Sequence, residues 1–430
     1  MVALWCAFVA AIGLSILALK VSSDPPSGTV SHMLGRGVLV VSMVRNEERS
    51  IAQMIESSKQ IGGYWLFCDT GSTDATKDII REKLKHHLPA VLDHSPFVNF
   101  AHNRNACLRA AQEAFLNRAD IKWVVLMDAD QRVIPSWEHG KKLPVYDINY
   151  IQILNTDGAY NIANTLPYLI RAETLQHCRY RLYTHELLEC KLPKWDKESA
   201  PLTQGTYKGY VYKHDYWKGG SKSDKYERDA RLLQQWIKDT ANNTTEQDLF
   251  PRALFYLGRS YQGMGNYSAA IKTYEQHRQS EIYTNYWFYS RYARAQSIFR
   301  LCGQNFTDCG YTFQEVERAY LDAHEELDGY FRREPLYYLA RMHSSNGNYT
   351  RCLLYTSAAL GLPPIDQSRM PLFVERVVYN WALEEQHAHC LEHLGRKELA
   401  HQHYKRLLFN ADSLGMSRRA RERINAKVYT

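Results

Sequence analysis

The sequence predicts an α/β domain with a mostly parallel sheet, followed by an α-solenoid of helix pairs. Three observations carry this. Near-continuous apolar runs in the first third end on acids or polar turns, segments of helical spacing separate those runs, and a helix-pair frame recurs after Asn242. The 430 residues suffice for two or three domains, each with its own core.

Residues 1–19 hold no charged side chain and precede Lys20, which reads as a signal anchor or a cleaved signal peptide over 1–20. A polar stem with Pro-Pro follows over 21–36. "VLVVSMV" (Val38 to Val44) is a strand buried on both faces. Asn46 can cap the next helix, marked by Ile51, Met54 and Ile55 and stopped by Gly62-Gly63. Strand two ends on Asp69. Ser72 or Thr73 can cap the helix after it, whose apolar stripe is Ile79, Ile80 and Leu84. A short strand near Ala90 to Leu92, a helix from Asn103 to Phe115 and the strand "WVVLM" ending on Asp128 complete the alternation. Residues 141–235 are Tyr-rich and read as short strands with a helix from Tyr226 to Ile237.

The frame "LGRSYQGMGNYSAAIKTY" from Leu257 recurs as "LARMHSSNGNYTRCLLYT" from Leu339 and "HAHCLEHLGRKELAHQHY" from His387. Leu, a small residue, an aromatic, then Gly, a small residue and an aromatic form the tetratricopeptide pattern of about 34 residues. The separation of the first two frames exceeds two periods, so the repeat between them carries an insertion, placed at "CGQNFTDCGYTF". The boundaries are thus 37–240 for the α/β domain and 250–425 for the repeats. His389 and His393 lie one helical turn apart and could hold zinc, although repeat surfaces carry spare histidines.

The net charge of +7 is spread among acids, which excludes a nucleic-acid footprint. Asn-X-Ser/Thr sequons at Asn242, Asn243, Asn266, Asn305 and Asn348 agree with a secretory lumen. Among nine cysteines, Cys302 and Cys309 are a candidate disulfide, while Cys68 and Cys107 sit in apolar contexts and read as core.

Asp128 and Asp130 in "LMDAD" stand two apart at a strand end, so both point to one side. Paired carboxylates call for a cation, and oxygen ligands suit Mn²⁺ or Mg²⁺. Asp69 ends the other central strand, at the edge where open α/β sheets bind ligands.

"VSMVRNEE", "DTGSTDAT", "FAHNRNACLRAA" and "VVLMDADQRV" resemble, in order and spacing, the family 2 glycosyltransferases of the GT-A (Rossmann-like) fold. "YTHELLE", "KHDYWKGGSKSDKYERDARLL" and the repeats are similar to the branch fused to tetratricopeptide repeats. The resemblance implies a nucleotide-sugar donor, a divalent metal and inversion at the anomeric carbon. It implies that Glu47 and Asp69 contact the nucleoside, that Arg104 and Asn105 lie near the donor, and that Asp128 and Asp130 bind metal. Glu186 takes the place of the catalytic base, with His185 as competitor. His214 completes the metal site or touches the diphosphate, and Lys225 and Arg228 offset phosphate charge. The chain departs from the pattern at "FAHNRN" and lacks the Trp-rich motif of processive members.

The expected activity is transfer of a sugar to a protein, glycan or lipid acceptor, with a protein or glycan acceptor held by the repeats. The expected location is a membrane-anchored form in the lumen of the Golgi or endoplasmic reticulum, or a secreted form if the leader is cleaved. Two alternatives stand beside it. A nucleotidyltransferase would carry a Gly-rich phosphate loop that "SMVRNEE" lacks. A repeat-based interaction protein with a degenerate α/β domain would not need Asp69, Asp128, Asp130 and Glu186 intact.

Overall fold

The computed structural model describes residues 37–429, except for 86–88, 93–95, 117, 119, 137–143, 156–161, 193–199, 215–223, 280–285, 304–305, 307–308, 326–331 and 364–373. The leader, the stem and Asn305 therefore lie outside the described residues. No helix among the described residues is long and apolar enough to cross a membrane.

The α/β half runs β1 (Val38–Val44), α1 (Ile51–Ser58), β2 (Tyr64–Asp69), α2 (Thr76–Lys83), β3 (Pro89–Leu92), α3 (Phe100–Leu116) and β4 (Trp123–Leu126). β5 (Gln131–Pro135), β6 (Ile148–Asn155), β7 (Ile162–Arg171), β8 (Cys178–Arg181), β9 (Leu187–Cys190) and β10 (Gln204–His214) follow, then α4 (Lys225–Asp239). Strand order in the main sheet is β3-β2-β1-β4-β7-β6-β10-β5, with β8 and β9 forming a separate ribbon. Val38, Val40, Phe67, Val124 and Ile170 are at most 1% exposed, as strands covered on both faces require.

The parallel expectation holds for β3, β2, β1 and β4 and for the β6–β10 pair. β7 runs antiparallel to both β4 and β6, and β5 antiparallel to β10, so the whole sheet is mixed. The physical reason is connection length. β6 ends at Asn155 and β7 begins at Ile162, a connection shorter than the crossover that a parallel neighbour needs.

Two expected caps are exchanged between loops. β1 and β2 lie in parallel register with Val44 opposite Asp69, so the loops that follow them run side by side. Asn46 (φ +56) does not cap α1; its Oδ1 accepts the Thr73 amide (2.7 Å) and its own amide donates to Ser72 Oγ (2.9 Å). Asp74, rather than Ser72 or Thr73, accepts the Thr76 amide at the start of α2 (3.0 Å). Burial alone would raise the Asp74 carboxyl, but the Thr76 and Glu48 donors hold it below its ordinary value.

The helical half pairs α5 (Phe250–Gly263) with α6 (Tyr267–Arg278), α7 (Trp287–Cys302) with α8 (Phe313–His324), and α9 (Glu334–Ser345) with α10 (Tyr349–Gly361). α11 (Leu383–His393) and α12 (Lys397–Phe409) follow, with α13 (Arg418–Tyr429) packed on α12. The repeat frame is a packing code. A Cβ on Gly258 would stand 2.6 Å from the Tyr274 ring, so glycine is needed there, and the matching positions of the other frames hold the small residues Ala340 and Ala388, both 0% exposed. Gly265, Gly347 and Gly395 turn at φ +74, +71 and +77, where a side chain would strain the backbone. Asn266 and Asn348 then cap α6 and α10 by accepting the Ala269 and Arg351 amides (3.2 and 3.1 Å). The expected insertion is the α7–α8 loop, closed by the Cys302–Cys309 disulfide.

Cys68 and Cys107 are not free core thiols: they are joined, as are Cys178–Cys190 and Cys352–Cys390. Every described cysteine is thus paired, and Cys6 lies outside the described residues.

Candidate active site

Asp69 closes β2 at the carboxyl edge and is 2% exposed. Its Oδ1 accepts the amides of Gly71 (2.9 Å) and Ser72 (2.8 Å), and Gly71 sits at φ +102, so the turn requires glycine. Its Oδ2 is buried and finds no hydrogen-bond partner among the described residues. A desolvated carboxylate oxygen left this way is costly unless a ligand donor meets it. Glu47 lies in the neighbouring loop, but its carboxylate is engaged locally: Oε2 accepts the Ser50 hydroxyl (2.8 Å), and its amide donates to Thr76 Oγ1 (2.7 Å).

Three chain segments meet at Arg104. Its Nε donates to Glu186 Oε1 (2.5 Å), and its Nη2 donates to Asp128 Oδ1 (2.8 Å). The guanidinium lies 5.4 Å from the centre of the Tyr180 ring. Burial works against the Arg104 charge, but Asp128 and Glu186 hold its pKa well above the ordinary value, so it stays cationic. Burial pushes the Tyr180 hydroxyl up to about 12, so that ring stays neutral. Asn105 does not join them. Its side chain exchanges two hydrogen bonds with the Tyr180 backbone (2.9 and 2.7 Å) and so fixes β8 against α3.

Asp128 and Asp130 stand in a turn, not in a strand as the spacing suggested. β4 ends at Leu126; the Met127 amide still bonds to Val41 O (3.0 Å), and the Gln131 amide returns to Asp128 O (3.0 Å). Ala129 is buried while both acids are partly accessible, so the expected division of faces survives the change of backbone. His214 ends β10 opposite Gln131 in antiparallel register, which puts its backbone beside the turn that bears both acids; its side chain lies outside the described residues. The two carboxylates of the turn supply oxygen donors of the kind that suit Mn²⁺ or Mg²⁺. No preformed group of three or more metal donors occurs among the described residues.

Glu186 and His185 face different ways. Glu186 turns to Arg104, with its side chain 14% accessible. The His185 ring stacks on Tyr256 of α5 (3.9 Å, 9°), and its Nε2 lies 3.6 Å from Asp229 Oδ2. Leu182 and His185 both take positive φ (+72 and +54), which non-glycine residues hold only when their surroundings enforce it. Arg228 lies over the Phe100 ring (5.2 Å) at the start of α3 and contacts Asp229 Oδ1 (3.3 Å); its Nε is buried without a partner among the described residues. Lys225 lies over the Tyr226 ring (5.8 Å), and its charge adds to those that hold the Asp229 carboxyl down.

The sequence reading missed Tyr180, Asp229 and Arg252. Asp229 was readable, since it shares a face of α4 with Leu233 and Trp236 and is 2% exposed. Burial would raise its carboxyl, but the His185 ring and Arg228 bring it below its usual value. Two disulfides brace the site: Cys68–Cys107 fastens β2 beside Asp69 to α3 one turn beyond Arg104, and Cys178–Cys190 closes the ribbon whose turn bears Glu186.

Residues 39–139, which contain Glu47, Asp69, Arg104 and both acids of the turn, match the profile of the family Glycosyl transferase family 2. The chain carries a family 2 glycosyl transferase domain. No curated protein matches the chain. Solved structures to which the chain is similar include three of low identity. A thermophilic TPR protein of Thermus thermophilus shares 14% identity at a TM-score of 0.33, over 48% of this chain and 92% of its own. MamA of Desulfovibrio magneticus RS-1 shares 13% at 0.31, over 44% and 87%, and BtubC of P. vanneervenii 12% at 0.35, over 44% and 74%.

Proposed function

We propose that this glycosyl transferase is a metal-dependent inverting enzyme that moves a sugar from a nucleotide-sugar donor to a protein, glycan or lipid acceptor. The observation that carries the reading is the convergence of Asp69, Asp128 and Glu186 at one sheet edge, the last two joined through Arg104. Asp69 Oδ2 receives a donor group of the nucleoside, which relieves its buried and unpartnered state. Asp128, Asp130 and His214 would hold the divalent ion, which would supply positive charge beside the diphosphate leaving group. Glu186 takes the acceptor's hydroxyl proton on the face opposite the nucleotide, which gives inversion in a single displacement. Arg104 fixes the Glu186 carboxylate and, being permanently charged, adds to the field felt by the leaving group.

The compartment belongs to the same proposal. Four disulfides among the described residues are stable in an oxidising lumen and rare in the cytosol. Residues 1–20 then serve as the membrane anchor or leader of a luminal protein.

The test is nucleotide release from UDP-, GDP- and CMP-sugars by the full chain, with and without Mn²⁺, together with the anomeric configuration of the product. Metal-dependent release with inverted product supports the reading. Release of no nucleotide from any of these donors, or a retained configuration, refutes it.

A further inference from the structure

The geometry points to the first repeat helix, α5, as part of the catalytic apparatus: Arg252 and Tyr256 position Glu186 by clamping the residue before it. This helix lies outside the family 2 segment at 39–139. Arg252 donates from Nε (3.1 Å) and Nη2 (3.0 Å) to the carbonyl oxygen of His185. That carbonyl belongs to the peptide bond joining His185 to Glu186, so its orientation fixes where the Glu186 Cα and side chain begin. Tyr256 meets the same residue from its ring side, stacked at 3.9 Å, while Asp229 faces the imidazole from α4. Arg252 is itself held, lying 5.0 Å from the Tyr256 ring centre and hydrogen-bonded to the Tyr286 hydroxyl at the start of α7.

The clamp has a reason to exist. His185 sits at φ +54, where a residue with a Cβ does not rest unaided. Relaxation to negative φ would swing the following peptide and carry Glu186 away from Arg104. Two donors on one carbonyl and a stacked ring oppose that relaxation, and all of them come from the helical half. Arg252 and Tyr256 touch no reacting atom in this scheme; they act through Glu186.

This inference rests on the transferase reading above, and the experiment separates the two. In the full-length protein, Arg252→Met and Tyr256→Leu are compared with wild type for kcat, for donor KM and for thermal midpoint. A displacement of about 1 Å at the base lowers kcat roughly 10²-fold. The expected result is that loss in kcat with donor KM within about twofold, since Asp69 and the metal turn are untouched. Arg252→Lys, which keeps one donor, should recover kcat to within about tenfold of wild type, and Tyr256→Phe, which keeps the stacked ring, should match wild type. A merely structural role would lower the thermal midpoint and the active fraction in parallel without recovery in the Lys and Phe variants, and that pattern overturns the inference. Wild-type kcat in a folded Arg252→Met protein also overturns it. A wild-type chain that consumes no donor overturns the transferase reading and this inference with it.

Discussion

Replacing Glu186 by glutamine removes one negative charge and little else. The amide oxygen still accepts from Arg104 Nε, and Arg104 keeps Asp128 as counter-ion. The stability cost is the difference between a charge-assisted and a neutral hydrogen bond, about 1 kcal/mol, at a side chain that is 14% accessible. The expected kinetic cost is larger: loss of a positioned general base lowers turnover roughly 10²- to 10⁴-fold, or about 3–5 kcal/mol of barrier. The two effects therefore separate, with a thermal midpoint close to wild type and a kcat that collapses. The assay is nucleotide release from whichever donor the wild type consumes, with nucleotide affinity measured by calorimetry to show the donor half intact. His185→Gln removes the ring on which Tyr256 stacks, so it should cost no more than the roughly 10²-fold expected of Tyr256→Leu, because that ring turns to Asp229 rather than to Arg104. Turnover within twofold of wild type for Glu186→Gln, with His185→Gln inactive, would refute the reasoning and transfer the role of base to the imidazole.

EDTA should abolish donor turnover and Mn²⁺ restore it, with Asp130→Ala at least ~10²-fold slower; full rate in chelator would contradict the metal role. Asp69→Asn keeps the Oδ1 that caps the turn but loses the buried oxygen, so nucleotide Kd should rise roughly 10- to 10²-fold by calorimetry at unchanged circular dichroism. Replacing Cys178 and Cys190 by serine opens a loop of sequence separation 12, a loss of about 3 kcal/mol, and urea titration should show it together with falling kcat. His277 is buried, and burial lowers its pKa from 6.5 to about 4, so its contribution is complete above pH 6.5 and is lost as pH falls towards 4. At pH 5 the loss is about 2 kcal/mol, and a His277→Phe chain should show a shallower fall in thermal midpoint between pH 7 and 5.

The alternation of β1 to β4 was legible because each strand is a compact apolar run and each helix a local period. The repeats were legible because Gly258, Ala340 and Ala388 recur at one buried position and Gly265, Gly347 and Gly395 at one turn. The mixed part of the sheet was not. Its strands pair across long separations, as β10 does in parallel with β6 and antiparallel with β5, and a Tyr-rich alternating run fits either direction. The exchange of caps between Asn46 and Ser72 was hidden for a related reason, since sequence shows which groups can cap and not which loop lies alongside. Cys68 and Cys107 looked like core because an apolar neighbourhood surrounds a buried thiol and a buried disulfide alike. At the site, the acids at strand ends were readable, whereas the fate of Asn105 was not: an amide beside an arginine reads as a ligand group until the backbone of Tyr180 claims it.

The same contacts decide how the two halves of the chain can be dissected. Arg181, 5% exposed on β8, donates to Asp248 and to Thr245 O (2.8 Å), and its Nε meets Glu246 Oε2 (3.1 Å) just ahead of α5. Cutting after Ala241 would leave this guanidinium with Glu189 as its remaining described counter-ion, and removing part of such a buried network costs about 3–5 kcal/mol. The cut also takes away Arg252 and Tyr256, and with them the hold on His185. A truncated domain should therefore lose donor hydrolysis along with transfer, and equal loss of both carries no information about whether the repeats hold an acceptor. That question is answered only in the intact chain, by substitutions on repeats beyond α7, where no described contact reaches the ribbon that presents Glu186.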